Sequence, residues 1–170
     1  SWWAFALLAL FTGLISGLAI NTAHELGHKN SRIEKWLARL TLAVPAYGHF
    51  TGEHNRGHHM TVSTPEDCAS ARMGESIYRF AAREIPGAFR RGWRLERERL
   101  AARNLPLWHY SNPILQSYAV SALITLLLLA WVGWIAIPFL LLHNASAYWQ
   151  LTSANYIEHY GLLRQKTDKG

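Results

Sequence analysis

The residues in this chain with the most evident capacity for chemistry are histidines spaced four positions apart. The first pair is His24 and His28, in the run HELGHK. Side chains four residues apart lie on one face of a helix, so the two imidazoles can reach a shared metal ion. The same run matches H-E-x-x-H, the zinc metalloprotease motif in which the glutamate is the general base. Taken alone, this pair leaves a zinc hydrolase and other metal sites open.

More histidines follow than one zinc site requires. The run EHNRGHH at 53–59 contains a second pair with the same spacing and an adjacent third imidazole, and a further histidine lies in the run NYIEHYG at 155–161. A structural or catalytic zinc ion uses only three or four protein ligands. The number of imidazoles therefore favours two metal ions, although imidazole alone does not identify the metal. The candidate ligands are His24, His28, His54, His58, His59 and His159.

Several polar side chains lie beside these histidines in the sequence. A carboxylate that accepts the free N–H of a ligand imidazole fixes its tautomer and orientation. We expect supporting roles of this kind, with solvated surface charge as the alternative, for Glu25, Glu53, Asp67, Asn155 and Glu158. The histidines that match neither spacing are interpreted as structural or interfacial; they are His49, His109 and His143.

The elements that must position these residues are predicted to be membrane helices. Half of the 170 residues are hydrophobic, and they form blocks. Residues 2–22, 114–132 and 134–157 contain no formal charge, and each block suffices to cross a hydrocarbon core of about 30 Å. We predict an all-α integral-membrane helical bundle with about three transmembrane helices, the last two joined by a tight turn. This topology places all three groups of histidines at one membrane face.

The segment from about residue 53 to 113 is polar and is predicted to be a cytoplasmic loop. Basic residues flank the apolar blocks, as the positive-inside rule describes, so the net charge of +6 indicates membrane orientation. A nucleic-acid partner is not expected, because no base-stacking or groove-reading motif accompanies the charge. Within the loop we predict an amphipathic helix around 87–103. Residues 37–50, interrupted by proline and glycine, are predicted to be re-entrant or interfacial.

Two glycines and an isoleucine precede the first histidine pair at helical spacing, so they share a helix face with it. They are Gly13, Gly17 and Ile20. A G-x-x-x-G pattern usually allows close helix packing. The alternative interpretation is a substrate channel in which an extended alkyl chain lies along this face toward the metals.

These motifs together resemble those of the bacterial alkane 1-monooxygenases. The resemblance covers nearly the whole chain and includes the runs HELGHK, EHNRGHH, TPED, ASARMGE and NYIEHYGLLR. The second histidine box with its TPED continuation and the His-Tyr-Gly motif separate these enzymes from membrane desaturases that share only the general box spacing. Cys68 departs from the pattern, since the family usually has proline there.

The resemblance implies a single fatty-acid-desaturase-like catalytic domain over residues 1–170, in a multi-pass protein of the bacterial inner membrane with its active site at the cytoplasmic face. It implies two ferrous ions held by nine histidines, six of which match here, with O₂ as co-substrate. It also implies terminal hydroxylation of alkanes, with rubredoxin as electron donor. The arginines of the predicted helix would then face lipid headgroups or dock this acidic carrier; they are Arg90, Arg91, Arg94, Arg97, Arg99 and Arg103.

The family's last histidine cluster lies beyond the His-Tyr-Gly motif. We therefore interpret the chain, which ends in the polar run 164–170, as an internal fragment that does not hold a complete site alone. One alternative is a membrane fatty-acid desaturase or hydroxylase, which would act on an acyl chain. A second is an intramembrane zinc protease using His24, Glu25 and His28. That enzyme would need an aspartate ligand within a span, and the apolar blocks contain none.

Overall fold

The computed structural model describes residues 1–165, so the last part of the polar run, 166–170, lies outside the described residues. Within that range the chain is helical, which confirms the all-α class. A π-helical turn, His54–His58, joins the third and fourth helices, and a 3₁₀ turn, Gly133–Ile135, joins the last two. The helices are α1 (Trp2–Gly27), α2 (Arg32–Ala43), α3 (Phe50–Glu53), α4 (His59–Thr61), α5 (Ile77–Ala101), α6 (Pro113–Val132) and α7 (Ala136–His159).

Two stretches are long and apolar enough to cross a membrane, Trp2–Gly27 and Pro113–His159. The second contains 47 residues, and a straight helix of that length would extend roughly 70 Å, more than twice the hydrocarbon core. The chain turns at Gly133, whose φ is +74°, a conformation that glycine adopts without steric cost. Asn112 begins this stretch by accepting a hydrogen bond from the Ile114 amide at 2.9 Å. Three separate crossings with the expected boundaries remain a prediction.

Helices α1 and α7 pack against each other and run in the same direction. The rings of Phe5 and Phe139 meet near their N-terminal ends, with centroids 5.8 Å apart. Farther along, the Ser16 hydroxyl lies 2.9 Å from Nε2 of His143. Contacting positions therefore advance together along both helices. As a result, the C-terminal ends of α1 and α7, which carry the first and last boxed histidines, lie at the same end of the bundle.

The glycine stripe of α1 lies in this interface. A Cβ atom built on Gly13 would collide with the backbone oxygen of His143, and one on Gly17 would collide with the side-chain oxygen of Gln150. Ile20, on the same face, is fully buried. This packing corrects the interpretation of the stripe as a substrate channel, because α7 occupies the space that an alkyl chain would need.

A hydrophobic core lies directly beneath the first histidines. Phe50 belongs to this core and contacts the histidines directly, because its ring stacks on that of His54 with centroids 5.0 Å apart. Helix α2 is tied to α6 through the Ser121 hydroxyl, which donates to the Ala43 carbonyl at 2.7 Å. The core residues come from four helices and the connection between α2 and α3; they are Ile20, Ala23, Ala38, Leu42, Tyr47, Phe50 and Leu151.

Helix α5 is longer than predicted. It begins at Ile77 rather than near residue 87 and includes Pro86 in its interior. Its arginines do not form one exposed face, as the docking interpretation assumed. Arg91 is buried and bonded to two carboxylates, and Arg99 is paired with the fully buried Glu96. The exposed arginines of this helix are Arg79, Arg90, Arg94 and Arg97.

The two glycines of α1 differ in a way that predicts different tolerance to substitution. In Gly13→Ala the new methyl group meets backbone, which cannot move without shifting α7, whereas in Gly17→Ala it meets a flexible glutamine side chain. Overpacking that the backbone must absorb costs about 1–3 kcal/mol. We therefore expect Gly13→Ala to lower the thermal unfolding midpoint of the detergent-solubilised full-length protein, and Gly17→Ala to change it less. Equal effects of the two substitutions would contradict this account of the interface.

Candidate metal centre

The first histidine pair lies on the last turns of α1. Because the spacing is four residues on a continuous helix, the imidazoles of His24 and His28 project from one face, and their ring centroids are 4.8 Å apart. His24 also faces Phe50 and His54, at centroid distances of 6.2 and 4.2 Å. The helix therefore presents this pair toward the second box.

The second box owes its geometry to the π-helical turn. The amide of His59 donates to the carbonyl of His54, five residues earlier, so the turn is one residue wider than in an α-helix. His54 and His59 consequently face the first pair, while His58 points elsewhere. Four imidazoles form a group whose ligand nitrogens all lie within 4.8 Å of one another; they are those of His24, His28, His54 and His59.

The spacing of these nitrogens fits a shared cation. Nε2 of His54 lies 3.0 Å from Nε2 of His24 and 2.9 Å from Nε2 of His59. Two imidazole nitrogens bound to one ion at about 2.1 Å are separated by roughly 3.0 Å in cis-octahedral and about 3.4 Å in tetrahedral geometry. A neutral imidazole offers one donor and one acceptor, whereas a cation accepts all three lone pairs together. The donor set is therefore suited to a metal ion.

The protonation state of the central imidazole supports the same conclusion. Burial, together with the neighbouring His24 and the other boxed histidines, lowers the pKa of His54 to about 2. The ring is therefore neutral near pH 7, which is the form that binds a metal ion.

A second pair of imidazoles adjoins this group. His58 and His159 face each other with ring centroids 4.8 Å apart, and His58 stacks on His54 at 5.1 Å. The structure thus brings all six boxed histidines into one continuous cluster, as a group of four and a neighbouring pair. A cleft of about 460 Å³ adjoins the cluster. His28 and His59 are exposed to solvent, whereas His58 is buried.

Asp67 orients His58. Nδ1 of His58 donates to Oδ2 of Asp67 at 2.9 Å, which leaves Nε2 of the imidazole free to bind a ligand. The hydroxyl of Ser70 also donates to Oδ2, at 2.6 Å. Burial alone would raise the pKa of Asp67, but hydrogen bonds from His58, Ser70 and Arg91 outweigh it and hold that pKa well below its usual range. Asp67 is therefore a buried anion that fixes the tautomer of His58.

Arg91 of α5 neutralises two buried carboxylates at once. Its guanidinium donates to Oδ1 of Asp67 at 2.7 Å and, through Nε and Nη2, to Oε1 of Glu53. A further bond runs to the Thr61 hydroxyl at 3.1 Å. Glu53 therefore supports the second box through Arg91 and not by direct contact with an imidazole. Gly57 lies beneath the guanidinium, where a Cβ would be 2.8 Å from Nε of Arg91.

A second buried carboxylate on α5 holds the end of α7. Glu84, 1% exposed, accepts hydrogen bonds from Thr152 at 2.7 Å and from the side-chain amide of Asn155 at 3.1 Å. Burial is the largest influence on Glu84 and raises its pKa. Asn155, expected to support the site, thus bonds to Glu84, one helical turn before His159.

Sequence reasoning missed Glu84 and misread Arg91. The signal that could have found both is the helical period, since positions 80, 84, 88 and 91 recur on one face of α5, and that face is buried. The remaining expected residues, Glu25 and Glu158, are exposed at the rim of the cleft. Both act on His24 electrostatically, and neither side chain forms a hydrogen bond or ion pair with other residues in the described range 1–165.

The histidines outside the boxes do not join the cluster. Nδ1 of His49 lies 3.0 Å from the hydroxyl of Tyr118. Nδ1 of His109 lies 2.7 Å from the Ser111 hydroxyl, and His143 contacts Ser16 in the helix interface.

The chain matches a known protein family. A family model described as fatty acid desaturase matches residues 1–169. The chain belongs to the fatty acid desaturase family.

Individual relatives of this desaturase-family chain are named as monooxygenases. It is 53% identical over 170 residues to alkane 1-monooxygenases of Pseudomonas putida and of Ectopseudomonas oleovorans. The match covers 100% of this chain and 42% of each relative, so the chain spans less than half of their length. A more distant relative, 28% identical over 160 residues, is the hydroxylase component of a xylene/toluene monooxygenase of Pseudomonas putida, and the match covers 88% of this chain and 41% of that protein.

Neighbouring arginines provide a test of the buried carboxylate network. In Arg91→Ala, Glu53 and Asp67 would stay buried without their cation, and breaking a buried ion pair in this way costs about 3–5 kcal/mol. We expect lower thermal stability and lower metal content in the purified full-length protein. Arg90→Ala is the matched control, because Arg90 is exposed and has no ion pair among the described residues. If both variants kept wild-type metal content and stability, the network would not hold the second box in place.

Proposed function

We propose that the full-length protein containing this chain is an alkane 1-monooxygenase of the bacterial inner membrane, with its site at the cytoplasmic face. The observation that carries the proposal is the convergence of six imidazoles from three sequence boxes at one end of apolar helices. The identity of 53% to alkane 1-monooxygenases over the whole chain supports the reaction type. Because the chain spans 42% of the length of those relatives, the proposed activity is that of the full-length protein.

The proposed ligand sets follow the two groups of imidazoles. His24, His28, His54 and His59 would hold one iron ion, and His58 with His159 would provide part of the second site. We propose that the remaining ligands come from a further histidine cluster elsewhere in the full-length protein. Glu53, Asp67 and Arg91 would then support the ligands without binding metal, as Glu84 and Asn155 would at the end of α7.

Two ferrous ions bound here would supply the activation of O₂, a reaction that the protein's own side chains do not perform. The balanced reaction is an alkane, O₂, two electrons and two protons giving a primary alcohol and water. Asp67 would keep the Nδ1 proton on His58, so that Nε2 faces the site throughout. Phe50 and Leu151, which line the cleft beside the imidazoles, would exclude water and contact the alkyl chain.

We propose rubredoxin as the electron donor. Its docking surface would include the exposed arginines of α5, Arg90, Arg94 and Arg97, because an acidic carrier is attracted to a cationic face. Arg91 is not part of this surface, since its charge is already used by Glu53 and Asp67.

A fatty-acid desaturase is the second candidate, favoured by the family match itself. The product decides between the two. We expect cells that express the full-length protein with a rubredoxin system to convert n-octane under ¹⁸O₂ to 1-octanol that carries one labelled oxygen, measured by gas chromatography and mass spectrometry. Unsaturated acyl chains in place of labelled alcohol would reject the hydroxylase and support the desaturase.

Metal analysis tests the division into two ligand groups. We expect the purified full-length protein to contain two iron ions, and His28→Ala and His159→Ala to lose about one ion each, because the two residues belong to different groups. His109→Gln, which alters a histidine outside the cluster, should keep both. Elemental analysis of iron per polypeptide measures this. An unchanged iron content in His28→Ala and His159→Ala would reject the ligand assignment.

A further inference from the structure

A second cleft is separate from the one that adjoins the metal cluster. It has a volume of about 340 Å³ and is bordered by the end of α1, by α2 and α3, by the second box, by α5 and by the start of α6. Volumes of about 300–1,000 Å³ are typical of sites for small ligands. None of its lining residues is a boxed histidine. The proposed reaction therefore assigns this cleft no role.

The lining of this cleft carries an excess of positive charge. Four basic side chains border it, and one carboxylate, Glu96, does so as well, which leaves three positive charges uncompensated. Glu96 is fully buried and already binds Arg56 at 2.9 Å and Arg99 at 2.5 Å. The other two cations, Lys35 and Arg39, form no ion pair within residues 1–165.

Arg39 is the most informative of these cations. It is half-buried, and its guanidinium lies over the ring of Trp36 at 4.9 Å from the centroid. Burial, followed by the nearby Arg99, lowers its pKa, and the attraction of Glu96 only partly offsets this. The hydroxyl of Thr51, also in the lining, is buried and has no hydrogen-bond partner in the described part of the chain. Both groups are suited to an anionic oxygen.

The placement of α2 indicates where such an anion would come from. This helix carries two stripes. One stripe, with Lys35, Arg39 and Leu42, borders the cleft. The other is apolar and exposed, and consists of Ile33, Trp36, Leu37, Leu40 and Val44. An amphipathic helix with exposed Trp and aliphatic side chains beside basic residues lies in the plane of the membrane interface.

We propose that this cleft binds the phosphate group of an anionic phospholipid, with Arg39 as its principal ligand and Lys35 and Thr51 as further contacts. The ends of the two candidate spans, Gly27 and Pro113, border the same cleft, so it lies at headgroup level. The exposed stripe of α2 then lies against the acyl chains of the same leaflet. The inference is independent of the proposed oxidation, because it involves none of the proposed metal ligands.

Short-chain lipids provide the test. The purified full-length protein in detergent is titrated with dioctanoyl phosphatidylglycerol, dioctanoyl phosphatidylcholine or inorganic phosphate, and its thermal unfolding midpoint is recorded. A ligand that binds only the folded state raises this midpoint. We expect phosphatidylglycerol to raise it at concentrations at which phosphatidylcholine and inorganic phosphate do not. If inorganic phosphate acts as strongly as the lipid, the site binds free phosphate and the lipid proposal is wrong.

Two substitutions on the same helix separate this site from general electrostatic attraction. Arg39→Gln removes the principal ligand and should raise the half-saturating concentration of phosphatidylglycerol about tenfold. Arg32→Gln, the matched control, removes an exposed arginine outside the cleft and should change that concentration less than twofold. Equal weakening by both variants would overturn the proposal.

The unfolding midpoint measured without added lipid tests whether an acidic side chain of the full-length protein occupies the cleft in place of a lipid. Because Arg39 has no ion pair here, Arg39→Gln should leave that midpoint unchanged. A large decrease in Arg39→Gln, with no response of the wild type to phosphatidylglycerol, would mean that an acidic side chain from another segment of the full-length protein occupies the cleft. That result would replace the lipid with an internal ion pair.

Discussion

The guanidinium of Arg91 lies buried between the carboxylates of Glu53 and Asp67, and the polar half of the molecule is arranged around it. Removing three charges from water is costly, and their mutual attraction compensates only when the geometry is good. Here the single cation Arg91 forms ion pairs with Glu53 of the second box and with Asp67 of the following loop. The contact fixes both segments on α5, and through Asp67 it fixes the tautomer of His58. The orientation of His58 thus depends on Arg91 through Asp67.

The spacing within the second box has a physical explanation beyond the histidines. Glu53 bonds to Arg91, and Arg56 bonds to Glu96 on the same helix. Gly57 lets the backbone pass close to the guanidinium, where any side chain would collide with it. Glu53 and Arg56 therefore attach this turn to α5, whereas the side-chain amide of Asn55 donates to the Gly27 carbonyl of α1. The π-helical turn then divides the box, because it directs His54 and His59 to one group and His58 to its neighbour.

The helical class and the histidine groups could be predicted because they depend on local periodicity: apolar blocks form helices, and a spacing of four puts His24 and His28 on one face. What could not be predicted depended on tertiary partners. Arg91 looks like its exposed neighbour Arg90 until the carboxylates beneath it are known, and Glu84 looks like any acid in a polar segment. From the sequence, the glycine stripe is compatible with either close helix packing or a substrate channel. Only the register of α7, which puts the His143 carbonyl against Gly13, decides between them.

The two sides of the histidine cluster differ in a way that suits the proposed oxidation. On one side His58 is buried and bonded to Asp67, in a network in which each carboxylate has a partner, so this imidazole cannot easily reorient. On the other side His28 and His59 are exposed, and the cleft reaches Glu25 and Glu158 at its rim. The proposed pair of metal ions would need open coordination positions as well as fixed ones, because O₂ would have to reach it. The buried network would keep one side rigid and leave the open side for further ligands and for substrate.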